Sequence, residues 1–140
     1  MEYIKVAALS VAPISELRGS IPLGYALGLP LIKVTVIAVL CNIAVYPILL
    51  WGLRHIRHSL IDKVVKRIRN RAGRIHKTRY FGLFALVAIP LPITGVWTAT
   101  GVSWVLNLNW RKAFQAVAAG TVVAGTIMYF MVAGVISLWN

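Results

Sequence analysis

A charged pair interrupts an otherwise apolar stretch near the start of the chain. Residues 3–28 read YIKVAALSVAPISELRGSIPLGYALG, with Glu16 and Arg18 near the middle. A charge near the centre of a bilayer costs at least about 2.5 to 3.5 kcal/mol. The stretch also contains three helix-breaking residues, Pro13, Gly19 and Pro22. Membranes tolerate such a broken, charged segment only where protein or a wet cavity surrounds it. Residues 13–22 are therefore predicted to form a functional tip.

The composition predicts a membrane protein. The 140 residues are 59% hydrophobic, with only three acidic residues against fifteen Lys and Arg. A soluble domain of this size could not bury so much apolar surface. The first stretch is not a cleavable signal peptide, because Glu16 and Arg18 lie where its apolar region would be.

Four apolar blocks divide the chain, at residues 3–28, 31–53, 80–106 and 113–138. The second and fourth blocks have the length of about 20 residues that a spanning helix needs. Tryptophans lie near their ends, as expected at a membrane interface; these are Trp51, Trp110 and Trp139.

The first and third blocks carry prolines halfway along. The steps from Tyr3 to Pro13 and from Tyr80 to Pro90 each cover about 15 Å of helix. That length is about half of the hydrocarbon thickness, so each block can enter the membrane, turn and leave on the same side. A kinked helix that spans the membrane fully is the alternative, since such helices tolerate proline.

Ten of the fifteen basic residues lie in the segment 54–79. Apolar residues recur there at helical spacing, which predicts an amphipathic helix lying on an anionic membrane surface; they are Ile56, Leu60, Ile61, Val64, Val65, Ile68, Ala72 and Ile75. The positive-inside rule places this linker in the cytoplasm. Nucleic-acid binding is disfavoured, because a membrane protein already needs this charge for its orientation.

A shift of 79 residues aligns the two halves of the chain. It pairs Pro13-Ile14-Ser15 with Pro92-Ile93-Thr94, and Lys33 with Lys112. Chance similarity between apolar segments is the alternative to a true repeat. The predicted fold is an all-α integral membrane domain over residues 1–140. It contains an inverted repeat of two re-entrant helical hairpins, each followed by one transmembrane helix. The first repeat is 1–53 and the second is 80–140, with the amphipathic linker helix between them. Both termini are then outside the cell.

The two tips carry residues suited to binding an anion and a proton. Ser20 and Thr94 are predicted to cap the returning half-helices, whose amide ends attract negative charge. Arg18 adds a guanidinium that suits phosphate or carboxylate. Burial favours the neutral form of Glu16 while Arg18 favours the charged form, a combination typical of a proton carrier. The alternative is that Glu16 and Arg18 simply pair and pin the tip.

Further polar and small residues complete the predicted site. Asn42 is expected to bond to either tip or to a neighbouring helix, and Trp97 to line a cavity or pack. The full set of predicted substrate-binding or proton-coupling residues is Glu16, Arg18, Gly19, Ser20, Pro22, Asn42, Pro90, Pro92, Thr94, Gly95, Trp97 and Thr98. No metal site, cofactor or enzymatic machinery is predicted. A line of small residues on the last helix favours close contact within one chain or across a homodimer; these are Ala116, Gly120 and Ala124.

Two motifs resemble a known family. The segment PISELRGSIPLG at 13–24 is similar to the signature of the family named putative small multidrug export proteins, grouped with the DedA (VTT-domain-like) superfamily. The segment PLPITGVWT at 90–98 resembles the second motif of that family, and Cys41-Asn42 with Tyr46-Pro47 resembles its asparagine-containing stretch. The second DedA hairpin normally supplies an arginine near its proline, whereas Thr94 and Gly95 stand here.

The resemblance implies two facing re-entrant hairpins and proton-dependent flipping of a lipid such as a polyprenyl phosphate or a phospholipid. It also implies the cell membrane of a bacterium or archaeon. Membrane lipid, with anionic headgroups at the basic helix, is the expected partner. Export of cationic drugs is a second hypothesis, although Arg18 would repel a cation. A third is a non-transporting membrane protein that recruits lipid or partners through its basic linker.

Overall fold

Six helices make up nearly all of the chain that the computed structural model describes, namely residues 1–55, 63, 66, 67, 70, 76–89 and 94–139. No strand occurs in these ranges. The helices are α1 (Glu2–Val11), α2 (Glu16–Ala26), α3 (Leu31–His55), α4 (His76–Ala88), α5 (Val96–Val105) and α6 (Trp110–Trp139). The predicted all-helical class is confirmed for the described residues.

The helices follow the same order twice, as two short helices and then a long one. A shift of 79 residues moves Leu31, the first residue of α3, onto Trp110, the first residue of α6. The same shift moves Glu16, the first residue of α2, onto Gly95, one residue before α5 begins. The two halves therefore share one pattern of helices at the spacing that the sequence indicated.

The first two helices fold back on each other. The Ser10 and Ser20 hydroxyls are 2.9 Å apart, and a Cβ placed on Gly24 would lie 3.0 Å from a Val6 methyl. These two contacts pair the end of α1 with α2 near its start, and the middle of α1 with α2 near its end. The helices are thus antiparallel, so residues 2–26 do not form one continuous rod.

The break between these helices is shorter than the predicted tip. Ala12 is extended (φ −66°, ψ 139°), and α2 begins only four residues later at Glu16. Pro22 lies inside α2, where its missing N–H leaves the carbonyl of Arg18 without its usual helical donor. The helix break is therefore confined to residues 12–15. The rest of the predicted tip, residues 16–22, belongs to a helix that contains one proline.

The second hairpin is more open than the first. The backbone N–H of Asn109 donates to the Tyr80 hydroxyl at 3.3 Å, which brings the chain after α5 back to the start of α4. Between these ends, α4 packs mainly on α6, whereas α5 packs mainly on α3. Pro90 and Pro92, both predicted to form the turn, lie outside the described residues.

The two long helices run in opposite directions. Val34 and Ala38 of α3 share a buried cluster with Ala124 of α6, whereas Val45 and Leu50 share another with residues 113 and 117. The start of α3 therefore packs against the middle of α6, and the later part of α3 packs against the start of α6. The two long helices thus run antiparallel.

One contact between the long helices recurs under the 79-residue shift. The rings of Tyr46 and Phe114 lie 6.0 Å apart. Moving each residue by 79 positions gives Gly125 and Thr35, and a Cβ on Gly125 would lie 3.9 Å from a Thr35 methyl. Equivalent residues of α3 and α6 therefore meet at two places along these helices.

The surface is rich in apolar side chains. Both α3, with 25 residues, and α6, with 30 residues, are long and apolar enough to cross a membrane. Large hydrophobic residues stay exposed along both helices, including Leu40, Ile48, Phe130 and Val135. Trp51 and Trp139 are also exposed near the helix ends. This surface fits a lipid environment, where exposed apolar side chains carry no penalty.

Little of the basic linker is described. Residues 63, 66, 67 and 70 are helical and exposed, and their spacing places them on one face of a helix. The predicted apolar face lies outside the described residues.

Gly120 permits the closest packing between α4 and α6. A Cβ there would lie 2.8 Å from the Phe84 carbonyl oxygen and 2.9 Å from the Val87 Cβ. The central residue of the predicted small-residue line on α6 thus makes its contact within one chain.

Gly120→Ala should destabilise the protein by about 1 to 3 kcal/mol, because its neighbours are backbone and Cβ atoms that cannot move aside easily. Gly134→Ala on the same helix is the matched control, since a Cβ there meets nothing within 4 Å. Thermal unfolding of the detergent-solubilised protein measures both. Equal midpoints for the two variants would contradict the close α4–α6 contact.

Candidate functional site

The carboxylate of Glu16 lies at the first turn of a helix from the opposite half. Glu16 is 7% exposed, and its Oε1 accepts the backbone N–H of Trp97 at 3.4 Å. The amide of Val96 also faces this carboxylate. These amides are the first two of α5 and have no partner within their own helix. Glu16 therefore caps α5, where the helix dipole favours negative charge.

Gly95 provides the space for this carboxylate. A Cβ at Gly95 would collide with both oxygens of Glu16. Gly95 is also the residue that precedes the first turn of α5, so the predicted cap Thr94 lies one position too early. The 79-residue shift pairs Glu16 with Gly95, which means that a carboxylate from one half fills the space left by the missing side chain of the other.

The backbone of Glu16 is strained. Its φ angle is +45°, in the left-handed region that costs a residue with a side chain about 1 to 2 kcal/mol. Such conformations persist where surrounding contacts hold them in place. Here the hydrogen bonds from the first amides of α5 stabilise this conformation and keep the carboxylate directed toward the other hairpin.

Arg18 contacts the opposite half as well. Its guanidinium donates to the backbone carbonyl of Ile89 at 3.0 Å and to the Thr94 hydroxyl at 3.1 Å. Ile89 follows the last residue of α4, where a cation is favoured by the negative end of the helix dipole. In the described part of the chain Arg18 makes no direct ion pair with Glu16, so the predicted alternative of a simple local pair is not what pins the tip.

Trp97 makes the reciprocal contact. Its indole N–H donates to the backbone carbonyl of Val11 at 3.0 Å, and Val11 is the last residue of α1. The 79-residue shift moves Arg18 onto Trp97. Each half therefore sends a side chain from the first turn of its second helix to a backbone carbonyl at the end of the other half's first helix.

A buried polar cluster lies one helical turn from Glu16. Ser20, Ser10 and Asn42 are at most 1% exposed. The amide of Asn42 donates to the Ser10 carbonyl at 3.1 Å. Ser10 lies in α1, so this is a bond to a neighbouring helix, one of the two predictions for Asn42. The Oδ1 atom of Asn42 is buried without a donor among the described residues. The cluster thus has a spare acceptor close to the junction. Ser20 caps no helix, contrary to prediction, because α2 begins four residues before it.

A second polar column continues from Asn42 along α3. One turn further, the Tyr46 hydroxyl hydrogen-bonds with the Ser103 hydroxyl at 3.0 Å. Ser103 in turn donates to the Thr100 carbonyl at 3.0 Å. Polar contacts therefore tie α3 to α1 at Asn42 and to α5 at Tyr46.

The structure gathers most, but not all, of the predicted site residues. Glu16, Arg18, Thr94, Gly95 and Trp97 meet at the junction of the two hairpins, with Ser20 and Asn42 close by. Gly19 packs at the first turn, where a Cβ would lie 2.7 Å from the Ser15 Cβ. Pro22 lies inside α2 and Thr98 on the exposed side of α5.

Sequence reasoning missed two kinds of partner. The backbone carbonyls of Val11 and Ile89 carry no sequence signal of their own. The equivalence of Arg18 and Trp97 in the two halves could have been found, because it follows from the same 79-residue shift. Within the described ranges, His, Cys, Asp and Glu form no group that could hold a metal ion.

Comparison with known proteins identifies the family. Residues 16–127 match the family model described as "Putative small multi-drug export protein". The chain belongs to this family. The match begins at Glu16 and includes α2, α3, α4, α5 and the first part of α6. Curated proteins and solved structures gave no significant match. Membership, together with the two apolar helices, indicates a membrane protein.

Gly95→Ala should destabilise the protein by about 1 to 3 kcal/mol, because the new methyl group displaces the Glu16 carboxylate. In a Glu16→Ala background the same change should cost less than about 1 kcal/mol. Thermal unfolding of the four proteins in this double-mutant cycle measures the coupling. Gly101→Ala is the matched control on α5, since a Cβ there meets nothing within 4 Å. Equal costs in both backgrounds would show that Glu16 does not lie against Gly95.

Proposed function

We propose that this protein is a proton-coupled membrane transporter that flips an amphipathic anionic lipid, a polyprenyl phosphate or a phospholipid. Glu16 is the group that carries the proton. One observation carries the proposal: a buried carboxylate occupies a helix N-terminus beside an arginine, which is a place where a phosphate can bind.

Positive charge outweighs negative charge at the junction. The N-terminal ends of α2 and α5 meet there, and each has a partial positive charge. Arg18 adds a full positive charge. Apart from Glu2 at the start of α1, Glu16 is the only acidic residue in the six described helices. When Glu16 is protonated, the amides of α5 and the guanidinium of Arg18 are free to hold another anion.

This competition couples the proton to the substrate. The anion binds best when the Glu16 carboxylate has taken up a proton and left the α5 amides, so the proton and the anion occupy the site together. A carrier that moves both in one step runs inward under a proton gradient directed into the cell. That direction suits the return of a lipid phosphate to the cytoplasmic leaflet.

The surroundings of the junction suit a lipid rather than a small solute. Arg18 and Trp97 are partly exposed, and the carbonyl partners Val11 and Ile89 are 42% and 50% exposed. A headgroup can reach this centre while its hydrocarbon chain stays among the exposed apolar side chains. The resemblance of the 13–24 motif to DedA proteins points to the same substrate class.

The membrane orientation follows from charge and from the inverted halves. Re-entry of both hairpins places the basic linker on one side and both termini on the other. The positive-inside rule then puts residues 54–79 in the cytoplasm, on the inner leaflet of the cell membrane of a bacterium or archaeon.

Export of cationic drugs is the second candidate function, and the family description favours it. In that mechanism the carboxylate of Glu16 binds a cation instead of returning to the α5 amides. Arg18, held 3.0 Å from the Ile89 carbonyl, would oppose a cation at this centre. The charge of the substrate that evokes proton movement distinguishes the two functions.

Glu16→Gln should abolish transport driven by a proton gradient, while exchange without a gradient remains. The amide cannot carry a proton, yet it leaves the neutral form of the site in place. The assay follows a fluorescent short-chain polyprenyl phosphate in proteoliposomes with an imposed pH difference. We expect the imposed pH difference to leave the flipping rate of this variant unchanged, because its transport no longer involves a proton.

Glu2→Gln is the matched control. Glu2 pairs with Lys5 at 3.0 Å on the exposed part of α1, so this variant should transport at the normal rate. Unchanged pH-dependent transport by Glu16→Gln would remove Glu16 from the mechanism. Proton movement evoked by a cationic dye and not by the lipid phosphate would favour drug export.

A further inference from the structure

The two hairpins are joined by a matched pair of contacts. The first, here called the Arg18 latch, consists of the bonds from Arg18 to the Ile89 carbonyl at 3.0 Å and to the Thr94 hydroxyl at 3.1 Å. The second, the Trp97 latch, is the bond from the Trp97 indole to the Val11 carbonyl at 3.0 Å. Each latch links a returning helix of one half to the end of the entering helix of the other half.

The latches are equivalent under the repeat. The 79-residue shift moves Arg18 onto Trp97. It also moves Val11 onto position 90, one residue after Ile89. The long helices α3 and α6 run in opposite directions. A repeat that relates these two helices exchanges the two ends of the molecule. A contact on one side of the centre is therefore repeated on the opposite side.

We propose that the Arg18 latch and the Trp97 latch are two gates that close the junction toward opposite faces of the membrane. Release of one latch separates its pair of helices and exposes the centre to one face, while the other latch keeps the opposite face closed. Both latches are formed in this structure, which is the closed state between the two openings. This inference rests on the proposed transport function, since it supplies that function with alternating access.

The two gates differ in strength. The Arg18 latch has two hydrogen bonds from a cation, and hydrogen bonds to charged groups are worth roughly twice as much as neutral ones. The Trp97 latch has a single neutral bond. The Trp97 gate should therefore open more often at rest, and the protein should favour the face that this gate controls.

Ser20 provides a reporter for both gates. It is fully buried, in α2 one helical turn beyond Glu16, so a cysteine there should react slowly in the closed state. The experiment uses Ser20→Cys in a Cys41→Ser background, reconstituted in vesicles. A membrane-impermeant maleimide is then applied from one face at a time. No substrate is needed, so failure of lipid flipping would leave the labelling result interpretable.

Trp97→Phe removes the indole donor and keeps an aromatic ring. We expect labelling of Ser20→Cys to rise about three- to tenfold from one face, the factor for one neutral hydrogen bond. Arg18→Met should raise labelling at least about tenfold from the other face. Trp104→Phe on α5, partly buried beside the core, is the matched control and should leave both rates unchanged.

Thr94→Val is a milder test of the Arg18 latch, because it removes one acceptor and keeps the guanidinium in place. It should raise labelling from the same face as Arg18→Met, by a smaller factor. The proposal is overturned if the Trp97 and Arg18 variants expose the cysteine to the same face, if they expose it to both faces equally, or if neither changes the labelling rate.

Discussion

A helix that breaks inside a bilayer leaves backbone groups that water cannot reach, and each unsatisfied group costs several kcal/mol. Two helix breaks meet in this protein, and side chains of each half bind the broken helix ends of the other. The carboxylate of Glu16 accepts hydrogen bonds from the first amides of α5. Arg18 and Trp97 donate to the carbonyls of Ile89 and Val11, at the ends of α4 and α1. In the proposed topology, each hairpin therefore needs the other to keep its broken turn in lipid.

The proposed function gives these contacts a second role beside their structural one. The amides that stabilise the Glu16 carboxylate are the groups that would hold a phosphate once that carboxylate is neutral. The positive φ of Glu16, +45°, directs this carboxylate across the junction. In the proposed mechanism, uptake of one proton by Glu16 weakens the contact between the halves and vacates the anion site at the same time. The missing side chain of Gly95 leaves the room that the carboxylate occupies.

The sequence predicted the elements better than the contacts between them. Helix order and the 79-residue repeat were readable, since α3 and α6 begin at equivalent residues. The charged tip was readable from the high cost of placing Glu16 and Arg18 in lipid. Helix starts were misplaced at Ser20 and Thr94, because capping propensity is local, whereas the cap of α5 comes from Glu16, which lies 81 residues from its partner Trp97. Thr94, one partner of Arg18, was among the predicted site residues. The carbonyls of Ile89 and Val11 are backbone groups that every residue carries, so no pattern of side chains could have marked them.

The account depends most directly on both hairpins returning to the side from which they enter. Single cysteines at Lys5, Pro30, Thr78 and Asn109, in a Cys41→Ser background, can be labelled from either face of oriented vesicles with an impermeant maleimide. The account predicts that positions 5 and 30 react from one face, and that positions 78 and 109 react from the opposite face. Reaction of positions 5 and 30 from different faces would contradict it, because the first hairpin would then cross the membrane.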